Sequence, residues 1–362
     1  MANNSTLFPA KLAKLSLKDS RSFEGFSFGA PCPVAGELVF NTGMVGYQES
    51  LTDPSYRGQI LVITYPLVGN YGVPEDRKDD HGLARFESNQ IQISALVVSE
   101  HAAEFSHHSA AKTLNQWLQE NNVPGIWGVD TRAITKHLRE HGSMLGRISL
   151  NGEDADWYDP NQHNLVADVS TTEVRDYPAG RKRIVVVDCG IKNSIIRSLL
   201  SRDISVRQVP WNHPFYQEEA DGILISNGPG DPQMAEQTIQ NIKLAMELRK
   251  PIFGICLGHQ LLARAAGAQT FKLKFGHRSQ NQPAVEVGTK RAFMTSQNHG
   301  YSVDGTTLPK DWQEWFINAN DGSNEGIMHK ELPFLSVQFH PEAVPGPVDS
   351  NYLFDKFISL IQ

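Results

Sequence analysis

The three cysteines of this 362-residue chain, Cys32, Cys189 and Cys256, are too few and too far apart for a disulfide framework, and no Cys-x-x-Cys pair occurs. A stapled scaffold and a cysteine zinc site are therefore not indicated. No metal site is assigned, and a reducing, cytoplasmic compartment fits best. Dense Lys/Arg blocks are also missing, and the formal net charge is −7, which argues against a nucleic-acid partner. No apolar run approaches the roughly 18 residues of a membrane span. The stretch Met1 to Leu17 has neither a continuous apolar core nor an arginine, so no secretory signal or transit peptide is read there. Internal repeats and low-complexity tracts are not evident.

What remains is an ordinary soluble composition, with 40% hydrophobic and 20% charged residues. The length suggests two or three domains. Residues 1–150 are rich in short strand-like runs, such as Glu37-Leu38-Val39-Phe40, Ile60 to Ile63 and Ile91 to Val98. Helix patterns occur at Ala110 to Glu120 and Thr131 to His141, the second bracketed by Asp130 as N-cap and Gly142 as C-cap. This part reads as α+β. Residues 151–182 are polar and turn-rich and read as a linker, with a middle long enough to pack on a neighbour.

Over residues 183–362 the pattern changes. Ile184-Val185-Val186-Val187 is a continuous apolar run, as in a strand buried on both faces. Helix patterns at Ile191 to Ser201 and Ala235 to Arg249 alternate with strands near Val206, at Gly222 to Ser226 and before Cys256. Such alternation implies a doubly wound, mostly parallel α/β sheet, with ligands beyond the carboxyl ends of its strands. A last helix pattern covers Asn351 to Ile361.

Two segments fall at those strand ends. In Gly254-Ile255-Cys256-Leu257-Gly258-His259, a cysteine sits between strand and helix with a glycine two residues away on each side. This is the form of a nucleophile elbow. A thiol at a helix N-terminus is favoured as thiolate, although free cysteines are also common as plain buried residues. The second segment, Asn227-Gly228-Pro229-Gly230-Asp231-Pro232, lacks the Gly-Lys-Ser/Thr of a phosphate loop. It could offer backbone N–H groups to an oxyanion, or be a turn.

A cysteine nucleophile needs a base, and the base an orienting group. Among thirteen histidines, His340 is the best candidate. It ends the run Leu335 to Phe339, Pro341 fixes the backbone after it, and Glu342 lies two residues on. Asn298-His299-Gly300-Tyr301 reads as a polar turn between strand-like stretches, and Phe275-Gly276-His277-Arg278 is equally open. His107-His108 reads as a solvated face.

Together, the elbow, the Ser226 to Pro232 loop and His340-Pro341-Glu342 resemble the class I, or triad, glutamine amidotransferases. The stretch Val39 to Tyr56, which contains Asp53-Pro54-Ser55-Tyr56, is similar to the opening domain of carbamoyl-phosphate synthase small subunits. Gly128 to Arg132 and Thr295 to Gly300 agree with it. The resemblance implies Cys256 as nucleophile, His340 as base and Glu342 as its partner. It implies glutamine contacts at Ser55, Gly228, Gly230, Leu257, Gln260, Asn298, Gly300 and Tyr301. Tyr301 stands where Phe is common, and its backbone is expected to matter more than its ring. Some relatives carry Ser in place of the nucleophile and cannot use glutamine; this chain carries Cys.

The resemblance further implies a glutaminase subunit, a ligase component without a cofactor of its own, in a cytoplasmic heterodimer, alone or as the unit of a higher assembly. A large subunit would bind ATP and Mg and convert ammonia and bicarbonate to carbamoyl phosphate for arginine and pyrimidine synthesis. Three rivals stand beside it: another glutamine-dependent synthetase subunit, a non-catalytic scaffold, and the leading domain of a longer polypeptide. The N-terminal motif argues against the first and the intact triad against the second. Because the chain stops after the last helix pattern, a separate subunit is expected over the third.

Overall fold

The computed structural model describes residues 11–361. Residues 1–10, within the stretch Met1–Leu17 in which no signal is read, and Gln362 lie outside the described residues. The chain forms two compact units that interleave in sequence. One takes the chain up to Tyr47, Gly58–Glu75 and Ile93–Pro160. The other takes Gln48–Arg57, Asp76–Gln92 and everything from Asn161. Where the sequence suggests consecutive blocks at 1–150, 151–182 and 183–362, two early segments thus fold with the later part.

The first unit is a closed barrel. Its strands are β1 (Leu12–Leu17), β2 (Ser22–Gly29), β3 (Val34–Asn41), β4 (Gln59–Ile63), β6 (Ala95–Val98), β8 (Pro124–Trp127) and β9 (Met144–Leu150). They close in the order β1-β2-β8-β6-β4-β3-β9, with β9 pairing both β1 and β3. Every residue of β6 is buried. A short ribbon joins β5 (Val73–Pro74) to β7 (Ala110–Lys112). That pairing takes Ala110–Lys112 out of the expected helix. Helix α2 (Leu114–Glu120) starts instead at Thr113, which forms a capping box with Gln116. Helix α3 (Thr131–His141) has the expected ends, with Asp130 accepting from the Ala133 N–H and Gly142 closing it at φ +96°.

Helix α1 (Tyr47–Thr52) leads into the second unit, a ten-stranded sheet. Its strands are β10 (Arg175–Tyr177), β11 (Arg183–Asp188), β12 (Ser205–Pro210), β13 (Gly222–Ile225), β14 (Ile252–Ile255), β15 (Thr270–Glu286), β16 (Ala292–Val303), β17 (Trp312–Asn318), β18 (Asn324–His329) and β19 (Phe334–Val337). The centre, β12-β11-β13-β14-β19, is parallel. An antiparallel wing β18-β17-β15-β16 continues it on one side and β10 on the other. From Asn161 on, the supposed linker is part of this unit, while its first residues, up to Pro160, belong to the first. The later part holds α4 (Leu165–Val169), with Leu165 and Val166 buried, and β10.

The apolar run on β11 divides by parity, as side chains alternating across a strand must. Ile184 and Val186 face a core shared with α5 (Asn193–Leu200) and α8 (Tyr352–Ser359). Val185 and Val187 face the opposite core, shared with α6 (Glu236–Glu247) and α7 (Leu257–Ala266). Helices on both faces make the sheet doubly wound. They leave the carboxyl ends of β11, β13, β14 and β19 as the place where loops can gather. Among the described residues, no helix is long and apolar enough to cross a membrane.

Candidate active site

Cys256 stands between β14 and α7 with φ +53° and ψ −103°. That backbone region costs an L-residue about 1–3 kcal/mol and is held only where the surroundings impose it. Here they do. The Cys256 N–H donates to the Val337 carbonyl of β19 at 2.9 Å. A Cβ on Gly258 would stand 2.1 Å from the Ile225 carbonyl oxygen, and one on Gly254 2.5 Å from that of Gly258. Both glycines are therefore required by close backbone approach. The thiol is buried, 3.7 Å from the Asn298 carbonyl oxygen on β16.

His340 follows β19, and its N–H donates to the Ser296 carbonyl of β16. Its Nδ1 lies 2.6 Å from Glu342 Oε1, and its Nε2 is buried with no hydrogen-bond partner. One turn thus holds base and orienter, and one ring nitrogen is left to act. Burial by itself would lower the His340 pKa. Glu342 foremost, then Cys256, overcome that and hold it well above the ordinary histidine value. At neutral pH the ring is an imidazolium, a proton held beside the thiol.

Glu342 has a second partner that sequence reading missed. The Lys192 ammonium, buried just before α5, donates to Glu342 Oε1 at 2.9 Å. Burial would raise the Glu342 pKa, but Lys192 and His340 bring it well below the usual carboxylate range. Burial would likewise lower that of Lys192, but Glu342, Glu87 and Asp53 hold it up. The pair is charged on both sides. A lone lysine in the run Gly190-Ile191-Lys192-Asn193 carries no signal of burial, so only the fold reveals it.

The segment 48–57 supplies the other wall. Asp53 Oδ1 accepts the Ser55 N–H at 2.9 Å, and Asp53 Oδ2 accepts from Asn298 Nδ2 at 2.9 Å. Asn227 is wholly buried. Its Nδ2 donates to Ser55 Oγ at 3.0 Å, and its Oδ1 accepts the Lys192 N–H at 3.1 Å. A Cβ on Gly228 would meet the Cys189 carbonyl oxygen at 2.0 Å and Leu257 Cδ2 at 2.8 Å, so the loop lies against the elbow. Gly230, at φ +85°, lies over Leu165. Leu257 opens α7, so its N–H is one of the four without an intrahelical acceptor. Gln260 Nε2 donates to the Tyr301 carbonyl at 2.9 Å and to Gln338 Oε1 at 3.0 Å. Gly300 lies near the Arg278 guanidinium. The Tyr301 hydroxyl donates to Asn161 Oδ1 at 3.3 Å. Asn298 to Tyr301, expected as a turn, lies instead within β16, because pairing with β15 extends past it. The His107 and His108 rings touch at a 34° tilt and are exposed.

A buried thiol, an imidazolium with a carboxylate behind it, and an N–H-bearing loop are the parts of an acyl-transfer site. Residues 185–360 match the family model for class-I glutamine amidotransferases. Residues 15–148 match that for the carbamoyl-phosphate synthase small chain, CPSase domain. Over 97% of its length the chain is 52% identical to the carbamoyl phosphate synthase arginine-specific small chain of Chaetomium globosum, and covers 78% of that protein. The chain belongs to the carbamoyl-phosphate synthase small-chain family.

Longer relatives contain the same stretch. The chain is 52% identical to multifunctional protein pyr-3 of Neurospora crassa over 97% of its own length and 21% of that protein. It is 50% identical to the human mitochondrial carbamoyl-phosphate synthase (ammonia) over 98% of its own length and 24% of that protein. The chain thus spans about a fifth to a quarter of the length of such relatives.

One further buried group in this small-chain amidotransferase unit has a consequence for stability. His259, on α7, has Nδ1 2.9 Å from Ser336 Oγ and an unpartnered Nε2. Burial pushes its pKa down from 6.5 to about 3. The unfolded chain therefore binds this proton first as pH falls. The contribution is fully present above 6.5 and is lost toward 3, at up to about 1.4 kcal/mol per pH unit. Urea unfolding from about pH 7 to about pH 5 should show stability falling with pH, less steeply in His259→Asn. Equal slopes in the two proteins would contradict this assignment.

Proposed function

We propose that this chain is the glutamine-hydrolysing subunit of a carbamoyl-phosphate synthase. The observation that carries the reading is Cys256 held at positive φ on its elbow, with His340, Glu342 and Lys192 in line behind it. In the mechanism, the Cys256 thiolate attacks the side-chain amide carbon of glutamine, forming a C–S bond. The Leu257 and Gly228 N–H groups would receive the oxyanion, each worth roughly 3 kcal/mol. His340 gives its proton to the amide nitrogen, the C–N bond breaks, and ammonia leaves. The neutral ring then takes a proton from water. Hydroxide attacks the γ-glutamyl thioester, the C–S bond breaks, and glutamate and thiolate result. Ser55, Gln260, Asn298, Gly230, Gly300 and Tyr301 line the glutamine site, Tyr301 mainly through the carbonyl that Gln260 already contacts.

Ammonia passes to a large subunit that binds ATP and Mg and uses bicarbonate to make carbamoyl phosphate. The small chain needs no cofactor of its own. The compartment is the cytoplasm and the complex a heterodimer or an assembly of heterodimers, serving arginine and pyrimidine synthesis. The arginine-specific name of the Chaetomium relative supports one branch, and the multifunctional relatives favour a second arrangement in which a large partner is covalently continuous. The purified chain should hydrolyse glutamine slowly, and faster with the partner, ATP and bicarbonate present. No acceleration would remove the coupling. A partner band of about 1,000 residues co-purifying from the native cell supports separate chains, and one fused polypeptide would refute them.

A further inference from the structure

Four buried polar side chains converge in the antiparallel wing, two of them flanking Asn298, whose carbonyl lies beside the thiol. His277 on β15 and His299 on β16 are direct cross-strand partners. Gln297 lies on β16 and Glu325 on β18, and all four side chains are buried. One ligand atom from each of His277, His299 and Glu325 lies within 4.8 Å of the others.

The outer hydrogen bonds fix the inner lone pairs. His277 Nε2 is 2.9 Å from Asp321 Oδ2, a carboxylate that accepts, so Nε2 carries the proton. In the neutral ring that a metal ligand must be, Nδ1 is then a lone pair, although Glu325 and Asp321 overcome burial and favour the protonated ring while no ion is bound. Nδ1 faces Gln297 Oε1 at 3.1 Å and Glu325 Oε1 at 3.6 Å. His299 Nδ1 is 2.8 Å from the Tyr301 carbonyl oxygen, so it too carries the proton. Its Nε2 lone pair faces Gln297 Oε1 at 3.0 Å. Reversing the Gln297 amide would give both ring nitrogens a donor, but only at the expense of its contact with Thr295. Its Nε2 donates to Thr295 Oγ1 at 3.1 Å, and the Thr295 hydroxyl proton already goes to the Gln282 carbonyl. An exchanged oxygen would face a hydroxyl with no proton to give. Glu325 Oε1 accepts from Asn318, while Oε2 is buried with no partner.

We propose that His277, Gln297, His299 and Glu325 hold a divalent metal ion, zinc being the best match to two imidazoles and two oxygens. Ligand atoms around tetrahedral zinc stand roughly 3.3 Å apart, close to the separations of 3.0, 3.1 and 3.6 Å found here. The Asp321–His277 contact is the carboxylate–histidine pairing that orients metal ligands. Four protein ligands leave no open position, so the ion is structural. It ties β15, β16 and β18 together and fixes the strand that carries Asn298 and Gly300. Residues 277, 297, 299 and 325 have no ligand spacing in sequence, which is why sequence analysis assigns no metal.

The test uses the full untagged chain with Cys256→Ala, which removes the competing thiol. After chelator treatment and reloading, one equivalent of zinc should be retained. Cobalt in its place should give the strong visible absorption of a four-coordinate ion. Glu325→Gln and Asp321→Asn should each weaken zinc binding at least about tenfold, with far-UV circular dichroism reporting folding. Asp321 is on a partly exposed turn, so its variant decides the matter if Glu325→Gln does not fold. Failure to retain stoichiometric zinc, or unchanged affinity in the folded variants, would overturn the proposal and leave a shared proton among the four side chains. Because the readout is metal content, it is independent of whether glutamine is the substrate.

Discussion

Replacing Cys256 by Ser should abolish glutamine-dependent synthesis by the assembled enzyme while free ammonia still supports it. Loss of a triad nucleophile costs on the order of 10⁴-fold or more in turnover. The hydroxyl is nearly the size of the thiol, so the buried site of Cys256 should tolerate it. A serine hydroxyl, whose pKa lies far above that of a thiol, is a much weaker nucleophile in its place. Steady-state rates with glutamine and with an ammonium salt, measured on the same preparation, check this. Loss of both activities in a folded, assembled mutant would contradict the division of labour.

The second large effect is steric. A Cβ at Gly258 would stand 2.1 Å from the Ile225 carbonyl oxygen and 3.0 Å from the Ile225 Cβ. Neither β13 nor α7 can yield without moving Cys256, which lies two residues before Gly258. Gly258→Ala should cost about 3 kcal/mol or more in urea unfolding, at the upper end of overpacking effects, and abolish glutamine hydrolysis together with it. Gly146→Ala is the control. Its nearest neighbours would be 3.5 Å away, an ordinary contact, and its stability should change by less than about 1 kcal/mol. Equal stability of the two variants would mean that helix and strand are not held as tightly as the backbone approach implies.

These two effects mark what was legible in the sequence. The elbow and the His340–Glu342 turn are local patterns, set by a few consecutive residues, and both are found where the pattern puts them. Helix α3 was legible for the same reason, since its caps lie within its own sequence. The parallel strands were legible because burial on both faces leaves a continuous apolar run. Lys192 was not, because burial of a lone charge is decided by residues far away in the chain, at Glu342 and Glu87. Nor was the docking of segment 48–57, which depends on Asp53 meeting Asn298 and on Ser55 meeting Asn227. Only the segment Asn298–Tyr301 of β16 reads as a turn, because Asn, His and Gly usually signal one, and the pairing with β15 overrides that signal.

The most direct test of the central claim, that Cys256 carries the acyl group, is acid-quench trapping of the enzyme during turnover of carbon-labelled glutamine, followed by peptide mass spectrometry. The label should appear as a γ-glutamyl thioester on the peptide containing Cys256 and vanish in Cys256→Ser. Label on any other residue, or continued glutamine hydrolysis by Cys256→Ser at the rate of the unaltered chain, would contradict it.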